Sequence, residues 1–194
     1  MGLGGETRPS HSSGSPGYGP ASGPALSQLL MASRPTPSPI LVSAEAIRRL
    51  DLSPITALLS LSPAEHLRRA GSLELSLEWP REAEDPRELS EIPEVRLWCL
   101  RADACCPWLP LLLERSSGQL TRHVAMLLPH GFSRQEGIRF APESLELWIT
   151  HRLFQLDQEA RAGGMNCRLG LGQMAAVLGF ELDPAFWAPL PPPP

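Results

Sequence analysis

The chain contains no lysine: all 17 of its basic residues are arginine. Without that amine it cannot form a Schiff base with a carbonyl substrate or pyridoxal phosphate, nor supply the lysine of a phosphate-binding P-loop or a kinase. The single tyrosine, Tyr18, lies in a glycine-rich leader, which argues against oxidoreductases built on a tyrosine and lysine pair. Asn166 is the only asparagine. Scarcity of Lys, Asn and Tyr beside abundant Arg, Ala, Pro and Gly is the mark of GC-rich coding. No basic run interrupts a net charge of -4, so nucleic acid is not expected as the main partner. The longest apolar stretches, Trp108 to Leu113 and Val124 to Leu128, fall far short of the roughly 20 residues of a membrane span, so an integral membrane protein is not expected. Cys99, Cys105, Cys106 and Cys167 show neither secretory spacing nor a preceding signal peptide, the pattern of free thiols in a reducing compartment.

What is present is unevenly spread. Seven of 16 glycines lie between Gly2 and Gly23, and seven of 22 prolines between Pro9 and Pro39. Residues 1–40 therefore read as a disordered Gly/Ser/Pro-rich leader. With Glu6 its only acid, it has the look of a plastid transit peptide as much as of a bacterial extension; alternatively Met31 is the start and the first 30 residues are an over-extended gene model. Residues 189–194 form a polyproline tail, and 41–188 are expected to make one domain.

Within that domain the pattern predicts an α+β fold, a small antiparallel sheet of about three strands packed against helices in two layers. Ser43, Ser53 with Pro54, and Ser62 with Pro63 and Glu65 each start a short helix. Leu73 to Trp79 alternates apolar and polar residues, Val95 to Arg101 reads as a central strand, and Leu120 to Leu128 as a third. Pro107 to Glu114 is a short apolar helix or turn. Pro142 opens a long helix that stops at Gly163 and Gly164, and a final one ends at a left-handed Gly179 with Phe180 beside it.

Chemistry is sparse. Glu78 to Glu94 holds seven acids and two arginines, a local charge of -5. Asp85, Pro86 and Glu88 fit a capped helical turn, Arg87 and Glu91 stand at ion-pair spacing, and Glu88 and Glu91 share a face. Such a loop would meet a basic partner or a hard cation, or simply be a solvated connection. A glycosidase-like carboxylate pair could be drawn from the same acids, but the aromatics that a sugar cleft needs, Phe132, Phe140, Trp148 and Phe154, read as core. Adjacent Cys105 and Cys106 lack zinc-ligand spacing, and a nucleophile built from Cys106 with His123 or His130 has no supporting motif. Trp79, Trp98 and Trp108 flank the acidic loop together with Arg96, Arg101 and Asp103, a composition that suits a binding surface or, equally, three core tryptophans.

The run W-P-R-E-A-E-D-P-R-E-L-S-E-I-P-E-V-R-L-W, continued by L-R-A-D-A-C-C-P-W-L-P, resembles the chlororespiratory-reduction family of NdhI maturation factors. Further matches are I-R-R-L-D-L-S-P at 47–54, A-M-L-L-P-H at 125–130, E-G-I-R-F at 136–140 and L-G-F-E-L-D at 178–183. The resemblance implies a soluble, non-enzymatic assembly protein without a cofactor or resident metal, in a cyanobacterial cytoplasm or a plastid stroma. Its implied partner is NdhI, the ferredoxin-like iron-sulfur subunit of the photosynthetic NADH dehydrogenase-like complex. No catalytic residue is implied; Asp85, Arg87, Glu88, Glu91, Glu94, Arg96, Trp98, Asp103, Trp108 and Pro110 are carried over as the expected partner-binding surface. Cys106 departs from the aromatic residue expected before Pro-Trp, which speaks against cluster ligation by Cys105 and Cys106. The alternative is an enzyme that modifies, or delivers iron to, the same subunit.

Overall fold

A computed structural model describes residues 39–192; the leader expected over 1–40 falls almost wholly outside them. Strand β1 (Ile40–Ser43) leads directly into α1 (Ala44–Arg48), whose first turn is capped by the Ser43 hydroxyl accepting from the Ala46 N–H at 3.2 Å. A 3₁₀ turn at Ser53–Ile55 carries Pro54 at its start and runs into α2 (Thr56–Leu59). In α3 (Pro63–Arg68) the Ser62 hydroxyl accepts from the Glu65 N–H while the Glu65 carboxylate accepts from the Ser62 N–H, the reciprocal box that the sequence spells out. Strand β2 (Leu75–Glu78) pairs parallel with β1, with Ile40 opposite Leu75 and Ser43 opposite Glu78.

The chain then turns helical: α4 (Pro93–Cys105), α5 (Leu109–Leu112) and α6 (Gln119–Leu127). A hairpin of β3 (His130–Ser133) and β4 (Gly137–Phe140) follows, closed by the left-handed Gly137 at φ 73°. Helix α7 (Pro142–Ala162) spans 21 residues and α8 (Arg168–Val177) ten. Both end in Schellman closures. Gly164 and Gly179 take φ of 73° and 86°, and the N–H groups of Met165 and Phe180 donate back to the carbonyls of Ala160 and Ala175.

The class is α+β, with small sheets packed against helices, but two of the three expected strands are helices. Val95, Trp98, Cys99, Ala102 and Asp103 of α4 are buried at the i, i+3, i+4, i+7, i+8 spacing of one helical face, whereas Leu97 and Leu100 point outward. A segment apolar on all sides cannot be assigned by period alone, and Pro93 at the first helical position is the signal that decides it. Likewise Leu120, His123 and Val124 place α6 against the core as a helix. Instead of one antiparallel sheet, the described residues hold a parallel pair and a separate antiparallel hairpin.

One polar junction sits inside this core. The Asp103 carboxylate of α4 accepts from the Arg152 guanidinium of α7 at 2.5 Å and lies 3.2 Å from Nε2 of His123 on α6. Arg152 also donates to the Pro107 carbonyl at 2.8 Å and lies over the Trp148 ring. A second buried carboxylate, Asp157, takes Arg161 at 2.9 Å and Arg168 at 3.0 Å; Arg168 reaches on to the Pro191 carbonyl and lies over Trp187, tying the C-terminal segment to α7 and α8.

Removing one partner of a buried charge pair strands the other. Arg152→Ala is therefore expected to lower unfolding free energy in urea by about 3–5 kcal/mol, while Asp103→Leu combined with Arg152→Met loses much less; equal losses would show that the pair itself does not matter. The thiols offer a second test. Burial pushes Cys99 up to about 12, and Cys106 and Cys167 up to about 11, whereas Cys105 is exposed. Brief alkylation of the folded protein at neutral pH should modify Cys105 alone, as read by peptide mass spectrometry.

Candidate partner interface

The acidic stretch is folded back on itself rather than loose. Asp85 accepts from the backbone N–H of Arg87 at 3.1 Å and from its guanidinium at 3.0 and 2.8 Å, and these Arg87 bonds, the side-chain ones foremost, hold the Asp85 carboxyl down at about 2. Arg81 donates to the carbonyls of Asp85 and Arg87. The expected helical turn begins three residues later, as a 3₁₀ turn at Leu89–Glu91 capped by Glu88 instead of Asp85, with the Glu91 carboxylate accepting from the Glu88 N–H at 2.7 Å. Arg87 thus pairs with Asp85 and not with Glu91, because the two-residue loop closure brings its fork onto Asp85 first.

Helix α4 grows out of this turn and gathers the other motif segments around itself. Trp98 Nε1 donates to the Asp51 carbonyl at 2.7 Å and Arg101 to the Leu50 carbonyl at 2.8 Å. These bonds pin the I-R-R-L-D-L-S-P segment at Leu50, a non-glycine residue held at φ 52°. Arg96 donates to the carbonyls of Met126 and Leu128 at 3.2 and 3.4 Å, placing its charge on the C-terminal end of α6. Ser90 meets His130 Nε2 at 2.9 Å, and His130 Nδ1 meets the Leu128 carbonyl at 3.0 Å, so the ring donates through Nδ1 and accepts the Ser90 hydroxyl proton. Sequence stretches separated by up to 80 residues along the chain thereby converge on one face, which spacing alone did not reveal.

The ten residues expected to form a partner surface divide in two. Arg87, Glu91 and Glu94 are exposed, and Asp85, Glu88 and Arg96 are partly so. Trp98 and Trp108 are 0 % and 4 % exposed, and Asp103 and Pro110 are buried as well. A partner cannot touch these four; they belong to the scaffold. Trp108 stacks on His66 with centroids 5.3 Å apart and donates to Glu159 at 2.7 Å, and desolvation holds His66 below its ordinary value. The exposed apolar side chains missed by sequence reasoning are Leu97 and Leu100, 54 % and 42 % exposed on the outer face of α4 just beyond Glu94. Their exposure follows from the helical period that buries Trp98.

A shallow, mainly apolar cleft of about 490 Å³ lies beyond the end of α6, lined by Leu128, Pro129, Leu147, Trp148 and His151. Leu147 there is 74 % exposed. Among the described residues no group of three or more His, Cys, Asp or Glu side chains gathers as a metal site, and no hydrogen bond joins Cys105 or Cys106 to a histidine. No helix among them is long and apolar enough to cross a membrane. What the surface does offer is an acidic loop braced by its own hydrogen bonds, with two leucines at its edge, a layout suited to contact with another macromolecule.

No solved structure matches this chain. The family model described as chlororespiratory reduction 6 matches residues 42–189, from the last half of β1 to just beyond the 3₁₀ turn at Pro184–Trp187. That match covers the acidic loop, α4 and every segment tied to it, and the chain belongs to the chlororespiratory reduction 6 family.

Proposed function

We propose that the protein is a non-enzymatic assembly factor that binds the ferredoxin-like iron-sulfur subunit, NdhI, of the photosynthetic NADH dehydrogenase-like complex while the peripheral arm is built. Family membership implies a role in accumulation or assembly of that complex. The observation that carries the binding reading is the braced acidic surface: Glu82, Glu84, Glu91 and Glu94 are exposed along one ordered stretch that runs into the bare side chains of Leu97 and Leu100. Fixed charge of one sign steers a basic partner and fixes its orientation, and the adjacent apolar side chains supply area to bury on contact. Ordering has already been met within the loop by Asp85, Arg87 and Glu91, so little conformational entropy is lost when a partner docks. The protein would act in a cyanobacterial cytoplasm or a plastid stroma.

The carboxylates of Glu84 and Glu94 accept no hydrogen bond and no ion pair among the described residues, so their charge can be reversed without disturbing the brace. Glu84→Arg with Glu94→Arg, and separately Leu97→Asp with Leu100→Asp, are expected to weaken capture of the iron-sulfur subunit by about tenfold or more while circular dichroism and melting stay as in the parent chain. The charge variants should respond less to added salt than the parent. Capture that is unchanged in both would sink the surface reading, and a mass change in the client after incubation would favour the modifying enzyme instead.

A further inference from the structure

A second site lies on the opposite edge of β2, away from β1. There a cleft of about 360 Å³ is lined by Glu74, Leu75, Ser76 and Leu77, with Gln119, Arg122 and His123 of α6 across from them. Successive residues of a strand point to opposite faces, so four consecutive residues lining one cavity present the edge of the strand and not one of its faces. The parallel register fixes which peptide groups lie there. Ile40 donates to the Glu74 carbonyl, so the peptide groups of Glu74, Ser76 and Glu78 serve β1 and those of Leu73, Leu75 and Leu77 turn the other way.

Along that outer edge the chain provides a partner for only part of the way. Leu73 pairs with the α5 exit, donating to the Leu112 carbonyl at 2.9 Å and accepting from the Glu114 N–H at 2.8 Å. The Leu75 N–H is met not by backbone but by the Gln119 side-chain carbonyl at 3.4 Å. Beyond it, the Leu75 carbonyl and the Leu77 N–H face the cleft with no hydrogen-bond partner among the described residues. An amide side chain thus stands where a neighbouring strand would begin, and among the described residues no strand continues from it. Leu89, Leu113 and Met126 give the cleft apolar walls; Glu74 stands at one end of the edge and exposed Glu78 just beyond the other, while Arg122 across the cleft is turned onto the carbonyls of Ser117 and Gly118.

We infer that this edge binds an extended segment of a partner polypeptide, which adds to β2 as a short strand. One acceptor and one donor two residues apart are complementary to peptide backbone, the cleft accommodates apolar side chains at alternate positions, and the charge at its ends selects basic flanks. The inference deepens the client-binding reading and rests on it only for the identity of the partner.

The probe is a ten-residue peptide of alternating valine and threonine flanked by arginines, its binding to the full chain read by fluorescence polarisation. A twin carries N-methyl groups at alternate residues, which remove the donors and keep the side chains. Binding of the parent peptide with a loss of about tenfold or more for the methylated twin is expected; equal binding of the two, or none by either, overturns the inference. Leu77→Pro removes the N–H that faces the cleft without breaking a bond to β1, and Met126→Trp fills the cleft; each should weaken the parent peptide to a similar degree. Capture of the iron-sulfur subunit separates the two readings: if the peptide binds and the subunit does not, the groove stands and the client assignment falls. If the subunit is captured equally by the parent chain and both variants, strand addition is overturned as the docking mode.

Discussion

The Asp103 carboxylate is the point on which the helical part of the domain turns. It stands on α4 and is shared by a guanidinium from α7 and an imidazole from α6, so three helices with short connections are locked in one relative orientation by a single side chain. Bringing these charges out of water is costly, and only near-ideal geometry with the remaining donors engaged offsets the cost. Arg152 meets part of that demand by bonding the Pro107 carbonyl as well, while its Nε and the Nδ1 of His123 are buried without a partner among the described residues. The consequence reaches the surface, because α4 that carries Asp103 inward carries Glu94, Leu97 and Leu100 outward.

The chain's own punctuation shows clearly in its sequence. Ser43, Ser62 with Glu65, Pro142, Gly164 and Gly179 mark element ends through local hydrogen bonds or backbone conformation, and each is found doing so. The nature of the segments between was less legible. Val95 to Arg101 is apolar in five of seven positions, so both a strand and a helix can be drawn through it, and burial by tertiary neighbours makes the choice. Strand β1 and the hairpin are four-residue elements whose stability comes from their partners, which leaves almost no local signal.

The candidate interface shows the same division. That the stretch around Glu78 to Glu94 concentrates negative charge could be read from its composition, and that Arg87 would find an acid could be read from its spacing, although the acid it finds is Asp85. Which tryptophans face outward could not be read, since a large aromatic suits a core and an interface equally. Trp98 and Trp108 are buried pillars that bond the Asp51 carbonyl and the Glu159 carboxylate; Leu97 and Leu100, on either side of Trp98, are the apolar side chains left exposed. The β2 edge was invisible for a different reason: main-chain groups with no neighbour among the described residues leave no trace in side-chain identity.

The missing lysine acquires a structural meaning from three of the arginines. Arg96 spans two carbonyls at the end of α6, Arg152 spans a carboxylate and a carbonyl, and Arg168 spans Asp157 and the Pro191 carbonyl. Each uses the separate arms of a planar fork to hold two chain segments at once, a span that the compact ammonium of lysine does not reproduce. Genomic bias explains why exposed positions such as Arg134 carry arginine, but at these three junctions the bias and the mechanics coincide. A relative from an AT-rich genome would be free to exchange the former and constrained to keep the latter, so arginine retained against coding pressure marks the joints of the domain.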